Sequence, residues 1–315
     1  MRSLWNRLNQ WLSGGKKSLL RRALLTAVFV VPALAFIAYQ TWRNWEQLRT
    51  YTWNLRPELW VLAFGGYTVA LNIELIAWNR IMARLGGMAS FRRNARLYCV
   101  SNLSKRLPGV VWYLAGRALL YREEGVSASA TLAGSALELA MMAATGPVVY
   151  FGVLPFTGGV LRGWMLLAAL GALIGGAVVL QPAIFNRIVA FFLRRLGSSA
   201  HIQVTYRDVL PLVPLYLVAW GIGGPVLYVV TYSIHPLPLA TLPLLTSIWV
   251  ASGTLTLLIG TFLLGFGVRE VALSLLLTSV MPQPLPVIVA LLFGLILVVS
   301  ELVWTGIYSL LRETR

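Results

Sequence analysis

Six runs of about twenty apolar residues, at 23–42, 58–79, 127–153, 164–182, 209–232 and 285–311, constrain this chain more than any motif does. A helix needs about 20 residues to cross ~30 Å of hydrocarbon, and each run is near that length. Lipid offers no hydrogen bonds, so each run must satisfy its own backbone, which specifies helices. Composition agrees. With 58% hydrophobic residues, 11% charged residues and a mean hydropathy of +0.76, 315 residues have too little polar surface for a water-soluble globule. The expected fold is all-α: a polytopic transmembrane helix bundle of about six full spans plus two opposed re-entrant or broken hairpins, at 97–122 and 244–281, arranged like an inverted repeat.

The net charge of +16 does not point to nucleic acid, because the basic residues fall at the ends of apolar runs. There they meet anionic headgroups and set orientation. Clusters at Lys16, Lys17, Arg21 and Arg22, at Arg80, Arg84, Arg92, Arg93 and Arg96, and at Arg187, Arg194, Arg195 and Arg207 are assigned to the cytoplasm, with Arg312 and Arg315. Alternation then requires 97–122 to leave the inner face and return to it, and 244–281 to do the same from the outer face. The expected location is the plasma (cytoplasmic) membrane, multi-pass, with both termini cytoplasmic. Residues 1–22, with Leu4, Trp5, Leu8, Trp11 and Leu12 on one face, read as an amphipathic interfacial segment or a plain basic flank. The remainder, 23–315, reads as one transmembrane domain, its first run a retained anchor rather than a cleaved signal. Cys99 is the only cysteine, which excludes an intrachain disulfide and reads as a packing residue.

The two hairpins carry the chemistry. In the first, Lys105 and Arg106 precede Pro108 and Gly109, and Trp112, Tyr113, Gly116 and Arg117 follow. Proline removes a donor and glycine permits a turn, so a new helix is expected just after the break. Its free N–H groups and the planar Arg117 fork both suit a phosphate. In the second, Gly265 and Gly267 flex the chain before Arg269 and Glu270. Either arginine can instead be half of a structural ion pair, with Glu74, Glu138, Glu270 or Glu301 as charge-balancing partners; the sequence leaves the pairing open.

These residues resemble the lysylphosphatidylglycerol synthase transmembrane region, a family of flippase-like integral membrane proteins. The first motif is matched by Pro108, Gly109, Trp112, Gly116 and Arg117, followed by Glu138 within a helix. The second is matched by Gly265, Gly267, Val268, Arg269 and Glu270, with Leu263 where the family pattern has proline. The resemblance implies a protein that moves phospholipid between leaflets, without the soluble aminoacyl-transferase domain of the bifunctional members, so lysyl transfer is not expected of this polypeptide alone.

Three functions are weighed. The first is a flippase or translocase-like protein that binds an anionic, phosphate-bearing lipid headgroup in a central polar cavity. Arg117, Arg269, Glu270, Lys105, Arg106, Trp112 and Tyr113 would make the contacts. The second is a membrane enzyme acting on a lipid or polyprenyl phosphate, which a single aspartate, Asp208, and two histidines, His201 and His235, support poorly. The third is a non-catalytic subunit or anchor of a larger complex. No nucleotide, metal or triad motif is found, so no catalytic residue and no cofactor is expected. The expected partner is a membrane phospholipid or polyprenyl-linked lipid, with a membrane-protein partner or homo-oligomer left open. Arg117→Ala is expected to abolish activity and leave the protein folded, unless the arginine is a structural ion pair.

Overall fold

A computed structural model describes residues 39, 42–43, 45–50, 56–88, 90–103, 110–158, 163–198, 200, 202–257 and 268–310. The amphipathic segment 1–22 and nearly all of the first apolar run lie outside the described residues. Among those residues, helix is the sole extended secondary structure, and ten helices have ten or more residues. They are α1 Pro57–Leu85, α2 Phe91–Leu103, α3 Val110–Glu123, α4 Ala128–Val153, α5 Gly163–Leu180, α6 Pro182–Arg195, α7 Val213–Ile234, α8 Leu242–Leu255, α9 Val268–Leu277 and α10 Leu285–Leu310.

Four helical stretches are long and apolar enough to cross a membrane: Pro57–Leu85, Ala128–Phe156, Tyr206–Ile234 and Leu285–Leu310. They match the runs expected at 58–79, 127–153, 209–232 and 285–311. The run at 164–182 differs. It becomes α5, which meets α6 at a 61° bend, so the pair counts as a fifth crossing only if taken as one broken span. The bend sits at Gln181, whose extended backbone precedes Pro182, and a residue before proline is pushed out of helical conformation. Beyond it, α6 buries Phe185, Val189 and Leu193 and exposes Ile188, Phe191 and Phe192 beside Arg194 and Arg195.

Among the described residues, each region expected to form a hairpin holds two short helices. The first pairs α2 with α3, at 13 and 14 residues, and the second pairs α8 with α9, at 14 and 10 residues. None reaches the ~20 residues of a full span. In both cases the two helices pack on each other. The linking stretches, 104–109 and 258–267, lie outside the described residues, and with them Lys105, Arg106, Pro108, Gly109, Gly265 and Gly267. The first pair starts earlier than its expected boundary of 97, because the turn after α1 ends at Ser90 and helix begins at Phe91. Gly87 holds a φ of 71° in that turn, where a Cβ would be strained.

Two apolar cores result. One gathers Leu71, Leu75, Trp78 and Met82 of α1 with Tyr98 of α2, Tyr121 of α3, Leu137 and Met141 of α4, Tyr216 of α7 and Tyr308 of α10. The other gathers Ala63 of α1, Leu227 and Val230 of α7, Trp249 of α8, Leu273 and Leu277 of α9, and Phe293 and Leu297 of α10. Helices α1, α7 and α10 therefore run through both cores, while each short pair belongs to one. Two spans carry an internal proline, Pro147 in α4 and Pro225 in α7. Close approach near them depends on small residues: a Cβ on Gly253 would lie 2.6 Å from the Trp220 ring.

The start of α4 shows how local signals place the pairs. Val126 N–H donates to the Tyr121 carbonyl at 3.0 Å and closes α3, while Ser127 accepts from Ala130 N–H at 3.1 Å and opens α4. Ser127→Ala should cost about 1 kcal/mol, read as a small fall in thermal midpoint with unchanged oligomeric state.

Candidate functional site

The best-developed polar site surrounds Arg117, which is fully buried. Its Nε donates to Ser101 Oγ at 2.9 Å, one terminal nitrogen donates to Asn102 Oδ1 at 3.0 Å, and the other donates to the Glu138 carboxylate in a buried ion pair. The guanidinium also lies over three rings, those of Trp78 at 4.1 Å, Tyr113 at 4.4 Å and Tyr98 at 4.8 Å. Such faces attract a desolvated cation through the ring quadrupole.

Glu138 is satisfied from three directions. Besides Arg117, it accepts from the Tyr113 hydroxyl and from the Tyr98 hydroxyl, each at 2.8 Å. Tyr98 also reaches Glu74 Oε2 at 3.1 Å. A further chain of hydrogen bonds fixes the rings: Trp78 Nε1 donates to the Tyr121 hydroxyl at 2.6 Å, which donates to Asn94 Oδ1 at 3.0 Å, and Asn94 donates to Asn79 Oδ1 at 2.7 Å. The pairing left open by sequence is thus Arg117 with Glu138. Arg117 was expected to offer its fork to a phosphate; its fork is directed at Glu138, Ser101 and Asn102.

Arg269 has a different environment. It lies half-buried in α9, its guanidinium lies 5.1 Å from the centre of the Trp249 ring, and its Nε is buried with no hydrogen-bond partner among the described residues. Trp249 is itself held by Trp220 and Phe293, with ring centres 5.7 and 5.2 Å away, and it donates to the Trp220 carbonyl at 3.2 Å. Glu270, the next residue, is buried against α10. A Cβ on Gly294 would come within 3.1 Å of its carboxylate, so the missing side chain makes the room.

The structure therefore assembles Arg117, Tyr113, Glu138 and Glu74 into one cluster within the first core. It sets Arg269 and Glu270 against the second. Glu301, buried in α10, accepts from Tyr67 at 3.2 Å. Gly116 and Trp112 lie on α3 with Arg117. Sequence reasoning missed Trp78, Tyr98, Ser101 and Trp249. The aromatic ones were absorbed into an interfacial belt, yet Tyr98 sits two residues after Arg96 and three before Ser101, inside the segment already singled out. Among the described residues no group of three or more histidine, cysteine, aspartate or glutamate side chains could hold a metal ion. No protein-family model matches the chain, and neither does any curated protein.

Proposed function

We propose that this chain is a flippase-like, lipid-handling integral membrane protein that receives an anionic, phosphate-bearing headgroup. The resemblance of its two motifs to the lysylphosphatidylglycerol synthase transmembrane region supports the reading. So does the repetition of one arrangement, a short helix pair carrying an arginine beside an aromatic core, at two places in the bundle. In this reading the pairs are opposed re-entrant elements around a central polar cavity in the plasma membrane, with both termini cytoplasmic.

The observation that carries it is the buried Nε of Arg269, which has no hydrogen-bond partner among the described residues. Leaving a buried donor unsatisfied costs about 1–3 kcal/mol. A phosphate oxygen supplies the acceptor, and the permanently charged guanidinium favours the same anion. Arg117, already satisfied within the protein, is the weaker headgroup contact of the two. Glu270 balances Arg269 or takes a headgroup amine. The chain's own residues suggest neither a catalytic group nor a cofactor.

Headgroup-resolved lipid analysis of the purified protein tests this, with Arg269→Gln beside wild type. One anionic lipid class is expected to copurify with wild type and to fall about tenfold in the variant, a change of about 1.4 kcal/mol. An unselective profile identical in both would refute the reading and bring the anchor function forward.

A further inference from the structure

Helix α5 nearly crosses the membrane by itself. Its 18 residues rise about 27 Å, close to the ~30 Å of hydrocarbon, and the chain then turns by 61° at Gln181 into α6. With α5 near the membrane normal, α6 lies closer to the membrane plane than to that normal. Its surroundings place it toward one end of the bundle. Ser198, just past α6, is hydrogen-bonded to Ser129 in the first turn of α4 at 2.8 Å. Asn186 exchanges two hydrogen bonds with Val204, both at 2.9 Å. Nearby in the chain, Asp208 pairs with Arg84 in the last turn of α1 at 2.9 Å.

The surface of α6 divides into three stripes, since residues three, four and seven apart share a helix face. Pro182, Phe185, Val189 and Leu193 are buried, the last three in the first core. A second stripe, Ile188, Phe191 and Phe192, is apolar and exposed, at 47%, 46% and 60%. The third carries Arg187 and Arg194, both exposed. Arg195 folds back so that its guanidinium lies 4.9 Å from the centre of the Phe191 ring, joining the basic and apolar stripes. Among the described residues neither Arg187 nor Arg194 has an acidic partner. From Leu139 to Arg207 the sequence holds five arginines, Arg162, Arg187, Arg194, Arg195 and Arg207, and no acidic residue.

We propose that α6 is an interfacial helix that binds the anionic headgroup layer of the leaflet at that end of the bundle. Ile188, Phe191 and Phe192 enter the boundary of the acyl chains, while Arg187 and Arg194 contact lipid phosphates and acidic headgroups. The occupant is a lipid surface because the exposed face is a layered one, apolar beside cationic, on a helix bent away from its span. It is an anionic surface because the arginines lack acidic partners in the protein, and a negative leaflet attracts them. This surface is separate from the Arg269 contact and does not depend on it.

Fluorescence quenching on the full-length protein tests it, in vesicles of phosphatidylcholine with a minor share of phosphatidylglycerol. A bimane probe is placed at Phe192→Cys or, separately, at Arg194→Cys; wild type, whose Cys99 is buried, is the labelling blank. Brominated acyl chains are expected to quench the Phe192 probe, and aqueous iodide the Arg194 probe. At equal fractions, brominated phosphatidylglycerol should act on the Phe192 probe as if enriched on the order of fivefold over brominated phosphatidylcholine, ~1 kcal/mol of preference. Arg187→Gln with Arg194→Gln should remove that preference, and Arg269→Gln should leave it unchanged, so this surface and the headgroup site fail separately. Quenching of both probes by acyl chains would make α6 the second half of a broken span. Quenching of both by iodide would place it clear of the membrane, and a Phe192 probe shielded from both quenchers would mean that protein covers the face. Each of these, or equal quenching by the two brominated lipids, would overturn the proposal.

Discussion

Arg117→Ala is expected to lower the stability of the folded chain by about 3–5 kcal/mol, the cost of stripping the counterion from a buried charge. The reason is geometric. Glu138 is 1% exposed and stays behind as a buried anion that has lost Arg117, with the Tyr98 and Tyr113 hydroxyls still donating to it. Ser101 and Asn102 lose the Arg117 donor as well, and three rings lose the cation they enclose. The check is the thermal midpoint of the purified protein, which should fall on the order of 5–10 °C. The double variant Arg117→Met, Glu138→Leu should recover much of the loss, because an apolar pair of similar volume removes both charges together. A wild-type midpoint in Arg117→Ala would show that the pair contributes nothing. The sequence-based expectation that this variant stays folded and only loses activity is thus replaced by one in which folding fails first.

Gly224→Ala is expected to have the second large effect. A Cβ there would lie 2.6 Å from Thr246 Cβ and 2.7 Å from Thr246 Cα. The Cα belongs to the backbone of α8, so no rotamer change relieves the clash and α7 and α8 must separate. Overpacking of this sort costs about 1–3 kcal/mol. It should also displace Trp249, which packs against the neighbouring Gly223 and carries the Arg269 contact. Gly221→Ala is the control on the same helix. Nothing lies within 4 Å of its Cβ, so the better helix propensity of alanine should leave stability unchanged or raise it by up to ~1 kcal/mol. Thermal midpoints of the two variants, measured side by side, decide between contact and propensity. Equal midpoints would show that the α7 and α8 approach is not tight.

Much of the bundle was legible because the hydrocarbon core imposes a length on every span. The runs at 58–79, 127–153, 209–232 and 285–311 all became single helical stretches. The run at 164–182 was harder. Apolarity continues through it, and only Gln181 and Pro182 mark a 61° change of direction, which a hydropathy average does not register. The breaks expected near Pro108 and before Arg269 lie outside the described residues, and the described helix that follows each is shorter than a full span. The partner of Arg117 was not readable. Glu74, Glu138, Glu270 and Glu301 all sit within apolar runs, and which of them faces an arginine depends on helix rotation and packing. Tyr98 was equally hidden, since an aromatic residue near a basic cluster fits an interfacial belt as well as it fits a buried cage.

The two internal prolines have a mechanical consequence. Proline lacks the N–H that would reach back one turn, so Pro147 leaves the Ala143 carbonyl and Pro225 leaves the Gly221 carbonyl without the usual helical bond. Trp220 lies beside Gly146 and only about 7.5 Å along the helix from Pro225. Two neighbouring spans are therefore weakest at nearly one level, close to the layer where glycines let rings and helices approach most closely. A bend in α4 or α7 at that level therefore costs less than it would elsewhere along the same helix, while α1 and α10, which have no internal proline, run past it through both cores and brace the two weakened spans.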